Sequence, residues 1–456
     1  MKFQEIDAVG ISRPCTKHNF LVRNIKELPK VLKEAFYIAR SGRSGPVLID
    51  IPKDITAHIG EFIYPDKVDI PSYKPQYDGN DRQIMKSIEA ILQSKKPLLY
   101  VGGGVVLSGA STLVREFAKI VNIPTVETLM ARGIMGYDNP LLLGMLGMHG
   151  NYSSNMAMTE TDLIISLGAR FDDRVTGELS EFGKNAKIIH IDIDPSNISK
   201  LVDINYPIVG DISIVLKKIL SKLEKKFEKD NFFEWREKLK AYDKKHPQAY
   251  IDSDEVLKPQ WVIERVGELI GEKAIITSDV GQHQMWAAQH YPFDRARQWI
   301  NSGGLGTMGF GFPAGIGVKV AFPEKTVINI TGDGSILMNM QELITASEYK
   351  LPVINIILNN NYLGMVRQWQ TFFYEKRYSE TDLSFQPDFV KLAESCGGIG
   401  YNITTKDEFD KAMKDCIEKD QVAFLNIKVD RLEDVLPMVS PNQPLSNMKL
   451  LYPEED

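Results

Sequence analysis

The 456 residues exceed what one ordinary hydrophobic core encloses and predict two or three domains. With 43% hydrophobic and 25% charged residues the composition is globular, and no run of 18 or more apolar residues could span a bilayer. A formal charge of −6 and a pI near 5.8 argue against a nucleic-acid surface.

The chain opens without a basic segment leading into an apolar one, so no secretory signal is expected. Cys15, Cys396 and Cys416 lack C-x-x-C spacing and fit a reducing cytoplasm. Residues 1–60 show one helix (25–40) and one strand (46–51). A single βα unit buries too little apolar surface to stand alone. This segment is therefore expected to pack on another chain, or to be the tail of a domain whose beginning is missing. From about Gln83 apolar helices alternate with short β-rich runs at 97–101, 162–167, 187–191 and 207–209, the first running into Gly102-Gly103-Gly104. This predicts a middle domain over 80–215. Charges interleave at helical spacing through 217–245, which reads as a solvated helical linker over 216–255. A second series of strands (274–277, 326–330, 352–358, 423–429) defines a domain over 256–440, leaving 441–456 as a tail. The expected fold class is α/β, with doubly wound parallel sheets.

The most informative motif is Gly332-Asp333-Gly334-Ser335 at the end of the 326–330 strand. A helix-like run over 336–349 and a second strand lead from it to Asn359-Asn360, with 24 residues between Gly334 and Asn359. Both polar clusters fall at the C-terminal ends of parallel strands, where open α/β sheets bind ligands. One carboxylate, one side-chain amide and bare glycine backbone suit Mg²⁺ bridging a diphosphate, because this ion takes few protein ligands. The Gly334 and Ser335 amides would donate to the phosphate. The arrangement resembles the diphosphate-binding motif of thiamine diphosphate enzymes.

Over its whole length the chain resembles the catalytic large subunits of acetolactate synthases (acetohydroxyacid synthases), which use thiamine diphosphate, Mg²⁺ and FAD. The carrying segments are 3–14 (FQEIDAVGISRP), 45–54 (GPVLIDIPKD), 147–150 (GMHG), 168–177 (GARFDDRVTG) and 364–369 (GMVRQW). The resemblance implies that Asp333 and Asn360 hold Mg²⁺ through side chains and Tyr362 through its backbone oxygen. Val280, Gly281, Gln282 and His283, with Gly332, Gly334 and Ser335, would contact the diphosphate end of the cofactor. Gly306 and Met308 would face its aminopyrimidine, where glycine admits close backbone approach and a bulky Met can bend the cofactor. Gly304-x-Gly306-x-x-Gly309 also fits a dinucleotide fingerprint, but no acidic partner follows at the right distance, and a nicotinamide is not expected.

Flavin contacts are implied for Arg43, Met148, His149, Gly150, Gly168, Arg170, Asp192 and Asp211, with ordinary βα-loop chemistry as the alternative. The flavin is implied to be structural rather than redox-active. Met365 and Trp369, four apart on one helix face, read as a substrate wall or as core packing. Arg174 reads as a carboxylate clamp or a surface ion pair. Phe3, Gln4 and Lys53 would line the same site from a partner subunit, in a homodimer or homotetramer, although Lys53 alone would pass for a solvated loop lysine. A small regulatory subunit is a further implied partner.

The implied reaction joins two 2-keto acids. Pyruvate loses CO₂, and its two-carbon remnant is ligated to a second pyruvate or to 2-ketobutyrate, in branched-chain amino acid biosynthesis. A related thiamine enzyme of the pyruvate oxidase or decarboxylase type is the alternative, and residues 170–174 with Met365 and Trp369 argue against it. The family's Glu against the pyrimidine N1′ has no counterpart upstream of Phe3. This gives the expectation of a fragment, nearly inactive by itself, or of a second polypeptide that completes the domain.

Overall fold

The computed structural model describes residues 5–223, 227 and 230–451. Its first unit is a βαβ motif in which β1 (His18–Leu21) pairs in parallel with β2 (Val47–Asp50) around helix Leu28–Arg40. The sequence reading found the helix and the second strand but not β1, a four-residue strand without a fully buried side chain. Lys17 locks the unit: its ammonium donates to the Ile38 and Ser41 carbonyls, both at 2.6 Å, and to the Tyr73 hydroxyl at 2.8 Å.

The middle sheet holds β3 (Pro97–Val101), β4 (Thr125–Glu127), β5 (Leu142–Met145), β6 (Leu163–Leu167), β7 (Lys187–Asp192) and β8 (Tyr206–Val209). All are parallel, in the order β5-β4-β3-β6-β7-β8. The winding reverses between β3 and β6, so a crevice opens outside their carboxyl ends. Every residue of β3 and β6 is buried, as expected of a parallel sheet covered on both faces.

The stretch read as a solvated linker is docked instead. Helix Ile212–Leu223 sinks Val215, Leu216, Ile219 and Leu223 into the middle core. Helix Phe233–Lys245 buries Trp235 and Leu239, an i,i+4 pair, and the Trp235 indole donates to the Pro97 carbonyl at 3.1 Å. Dense surface charge hid this narrow apolar stripe. Trp235→Ala should therefore cost about 3–5 kcal/mol in thermal or denaturant unfolding, whereas a solvated helix would lose almost nothing.

The second sheet holds β9 (Ala274–Ser278), β10 (Trp299–Asn301), β11 (Thr326–Gly332), β12 (Val353–Asn359), β13 (Ile399–Ile403) and β14 (Ala423–Lys428). It too is wholly parallel, ordered β10-β9-β11-β12-β14-β13, with its reversal between β9 and β11. The strands β4, β5, β10 and β13 were not anticipated. They are three to five residues long and carry Glu127, Gly144, Asn301 and Asn402, which break any apolar run. The helix expected over 336–349 is two short ones, Asp333–Ile336 and Glu342–Glu348.

The expected tail also folds back. β15 (Met438–Val439) pairs antiparallel with β16 (Met448–Lys449), and Leu445 and Met448 pack on the middle core. Among the described residues no helix is long and apolar enough to cross a membrane.

Candidate active site

The carboxyl ends of the two large sheets open onto one cavity of about 2100 Å³. A typical small-molecule pocket is ~300–1,000 Å³, so there is room for more than one large ligand.

At the end of β11, Asp333 is 2% exposed. Burial pushes its carboxyl up to about 6, opposed most by a hydrogen bond donated from the Gln386 amide. Asn360, one residue past β12, donates to Gln282 Oε1 at 3.1 Å, and its own Oδ1 accepts from the Tyr362 amide at 3.1 Å. Asn361 sits in the left-handed region (φ 58°), which turns the chain tightly between them. Asn359 does not face the cavity; it donates to Gln386 Oε1 at 2.8 Å and to Asn426 Oδ1 at 2.7 Å.

His283 lies across the same turn, where a Cβ on Gly332 would come within 2.9 Å of its Nδ1. Burial pulls its imidazole down to about 3, so it is neutral, and its Nε2 finds no partner among the described residues. The Gln282 side chain is committed elsewhere, donating to Gln368 Oε1 at 2.8 Å and to the Glu433 carbonyl at 3.0 Å. Val280, Gly281, Ser335 and Gly334 line the cavity beside it. Asp279, which the sequence reading passed over, accepts from the Gly311 amide at 2.8 Å and Thr331 Oγ1 at 2.7 Å. It thereby ties the 302–311 loop to β11. In that loop Gly306 (φ +75°) and Met308 face the cavity, and Leu305 is 90% exposed.

At the middle-sheet end, Gly102 and Gly104 after β3 meet Gly168 after β6. A Cβ on Gly102 would lie 2.3 Å from the Gly168 carbonyl oxygen. Side chains would fill this crevice, and their absence lets the ends of β3 and β6 approach closely where a ligand can lie against bare backbone. Around it stand Arg43, paired with Asp194 at 3.1 Å, and Arg170, paired with Asp172 at 3.0 Å. Asp192 accepts from Asn197 at 3.2 Å, and Asp211 accepts from the Ser213 and Ile214 amides at the head of helix Ile212–Leu223. Met148 and His149 also line the cavity. Burial pulls the His149 imidazole down to about 4, and its Nδ1 is unpartnered among the described residues. Gly150 does not reach the cavity: its amide closes a turn onto the Gly147 carbonyl at 2.9 Å, and a Cβ there would strike Leu146.

Helix Gly364–Phe373 spans the gap between the two ends. Met365 and Trp369 both line the cavity, half-buried, while Arg367 on the far side is buried against Asp434 at 2.8 Å. The Arg174 guanidinium lies 5.8 Å from the Trp369 ring centroid and 3.5 Å from Asp173. A cation–π contact thus joins the middle unit to this helix. Lys53 is exposed at the head of helix Lys53–Ala57 and does not line this cavity; Phe3 and Gln4 lie outside the described residues.

The site suits the groups that the sequence suggests. It offers hard oxygen donors at one end, a glycine crevice at the other, and at each end a neutral buried histidine with an unsatisfied ring nitrogen.

Residues 279–427 match the thiamine pyrophosphate enzyme C-terminal TPP binding domain, and residues 84–219 match the thiamine pyrophosphate enzyme central domain. The acetolactate synthase large subunit of Haemophilus influenzae is 46% identical over 459 residues, covering 100% of this chain and 80% of the relative. The acetolactate synthase isozyme 3 large subunit of Escherichia coli is 46% identical over 96% of this chain and 77% of its own. The acetolactate synthase large subunit of Corynebacterium glutamicum is 44% identical over 98% and 72%. On this similarity along its length, with its two thiamine-enzyme domains, the chain belongs to the acetolactate synthase large-subunit family.

Proposed function

We propose that this chain decarboxylates pyruvate and ligates the two-carbon unit to a second 2-keto acid, giving 2-acetolactate or 2-aceto-2-hydroxybutyrate for branched-chain amino acid synthesis. The observation that carries this reading is one cavity shared by the Asp333–Asn360 cluster and the Arg174–Trp369 pair.

When bound, thiamine diphosphate supplies the electron sink that lets the carboxylate leave. Asp333 and Asn360, with the Tyr362 backbone oxygen, would hold Mg²⁺ and through it the diphosphate. Gly332, Gly334, Ser335, Val280, Gly281, Gln282 and His283 frame that end, with His283 neutral and able to hydrogen-bond. Gly306 and Met308 would face the cofactor's pyrimidine. FAD would lie in the crevice at Gly168, held by Arg43, Met148, His149, Arg170, Asp192 and Asp211. Arg174 would clamp a keto-acid carboxylate, and its cation–π contact with Trp369 would set where that carboxylate lies relative to the Met365–Trp369 wall. Met365 and Trp369 would shield the reacting carbon from water on their side of the cavity.

Phe3, Gln4 and Lys53 would complete the site from a partner subunit in a homodimer or homotetramer. The relatives are named large subunits, which supports a small regulatory subunit as a further partner. Residues 1–60 would form part of a pyrimidine-facing unit, 80–215 the flavin unit and 256–440 the diphosphate unit.

Acceptor choice tests the reading. A flat indole can favour an acceptor with one more methylene by about 1–3 kcal/mol. Trp369→Leu should lower the preference for 2-ketobutyrate over pyruvate by roughly tenfold or more, with a smaller loss in total turnover. Product ratios from a competition assay that stay put would reduce Trp369 to packing.

A further inference from the structure

Between helices Gly364–Phe373 and Phe389–Ser395 the chain makes a loop, 374–388, that lies against the residues just past Asn360. The Leu383 amide donates to the Asn361 carbonyl and the Leu363 amide to the Thr381 carbonyl, each at 2.9 Å. Leu383 also closes over the Gly-Asp-Gly turn: a Cβ on Gly334 would come within 3.0 Å of its Cδ1. Beside this apolar contact stands a polar one. The single side-chain amide of Gln386 donates through Nε2 to the Asp333 carboxylate and accepts through Oε1 from Asn359 at 2.8 Å. Asn359 is itself anchored on Asn426, which donates to Asn402 at 2.7 Å. β11 and β12 are hydrogen-bonded neighbours, in register from Val327↔Val353 to Gly332↔Leu358, so one amide bridges the two adjacent strand ends that carry Asp333 and Asn360.

We propose that Gln386 is a positioning residue for the Asp333–Asn360 cation site, fixing the carboxylate's rotation and the spacing of the two strand ends, and thereby coupling the order of loop 374–388 to the metal. The inference rests on the reading that Asp333 and Asn360 hold Mg²⁺. Three features of the geometry favour this over incidental packing. The donor meets a charged, nearly fully buried acceptor, which is the strong class of hydrogen bond. Both ends of the amide are used, so its orientation is determined on both sides. The bond also comes from a loop remote in sequence, 53 residues from Asp333 and 27 from Asn359, so disturbing the loop must disturb the ligand. Groups that orient a metal ligand from behind typically control metal affinity by ~10–100-fold.

The test uses the full chain with thiamine diphosphate present and Mg²⁺ as titrant, followed by calorimetry. Gln386→Met, close in size but without the amide, should weaken Mg²⁺ binding by about 10–100-fold. Gln386→Asn keeps an amide but is one methylene too short to reach both partners, and should weaken it as well. Hydrogen exchange gives a second readout that a merely structural residue would not move. In the unsubstituted chain, Mg²⁺ should increase amide protection across 374–388, and in Gln386→Met that metal dependence should vanish. Mg²⁺ affinity unchanged in either variant, or loop protection indifferent to Mg²⁺ in the unsubstituted chain, overturns the proposal. If the unsubstituted chain binds Mg²⁺ no better than Asp333→Ala does, the underlying metal reading fails instead.

Discussion

Asp333→Ala is expected to abolish Mg²⁺-dependent retention of thiamine diphosphate while leaving the fold intact. The carboxylate is the one formal charge among the three oxygen donors assigned to the ion, since Asn360 and the Tyr362 carbonyl are neutral. A hard, strongly hydrated cation will not trade water for two neutral oxygens alone, so the loss should exceed about 100-fold. Without metal the same substitution removes a burden. Asp333's carboxyl is raised from 3.8 to about 6 by burial, so the folded state holds its proton more tightly than the unfolded chain does. The sign follows from linkage: between these values the folded state binds more protons, and this group's contribution to stability improves as pH falls from 7 towards 4. Metal-free protein should therefore gain stability on mild acidification relative to Asp333→Ala. Mg²⁺ affinity should move the other way, falling about tenfold per pH unit below 6 as protons compete for the carboxylate. Equilibrium dialysis of thiamine diphosphate at fixed Mg²⁺ decides the matter; equal retention by both proteins would remove the basis of the metal assignment.

The parts of this site that the sequence displayed are those written in local pattern. β11 and β12 are long runs of buried, largely β-branched residues ending in polar clusters, and such runs announce both the strand and its functional end. Helix Gly364–Phe373 carried Met365 and Trp369 to the cavity because an i,i+4 pair must share a face. What stayed hidden depends on contacts between distant residues. Nothing in Asn359-Asn360 tells which amide faces the cavity; Gln386 and Asn426 decide it by holding the first. Gln282 lines the cavity, but only the folded chain reveals that its side chain spends both ends orienting Asn360 and meeting Gln368. Asp279 sits one residue past a strand and was unremarkable until Thr331 and the Gly311 amide were seen to converge on it. Gly150 shared a motif with His149 but serves the turn that presents it. The 216–255 stretch misled for a different reason: charge density reports a helix's wet face, whereas two apolar residues suffice to dock the other.

Gly102→Ala is expected to destabilise the middle unit by about 2–4 kcal/mol and, with FAD placed in the Gly168 crevice as proposed above, to abolish flavin retention, although the change adds a single methyl group. Gly102 has φ −113°, an ordinary extended value, so backbone strain is not the reason. The reason is space. The new Cβ would stand 2.3 Å from the Gly168 oxygen and 2.6 Å from Ala169 Cα, and both obstacles are backbone that cannot rotate aside. Gly168 is pinned in turn: it has φ +61°, and a Cβ there would fall 2.6 Å from Gly104 Cα. The ends of β3 and β6 can approach this closely only while all three positions lack side chains, and that approach forms the crevice at the switch point. Relief requires the two loops to part, which breaks the Gly102 amide's bond to the Leu167 carbonyl (2.9 Å) and the Gly104 amide's bond to Gly168 (3.0 Å). The second sheet has its own core, so Mg²⁺-dependent thiamine diphosphate retention should survive at temperatures below the new transition. Gly317→Ala is the control: a Cβ there meets nothing within 4 Å inside helix Gly311–Ala321, and it should be neutral or stabilising by up to about 1 kcal/mol. Flavin absorbance of the purified proteins and their thermal melts are the measurements. A Gly102→Ala protein that keeps its flavin and melts with the unsubstituted chain would show that the crevice can widen, and that the flavin lies elsewhere.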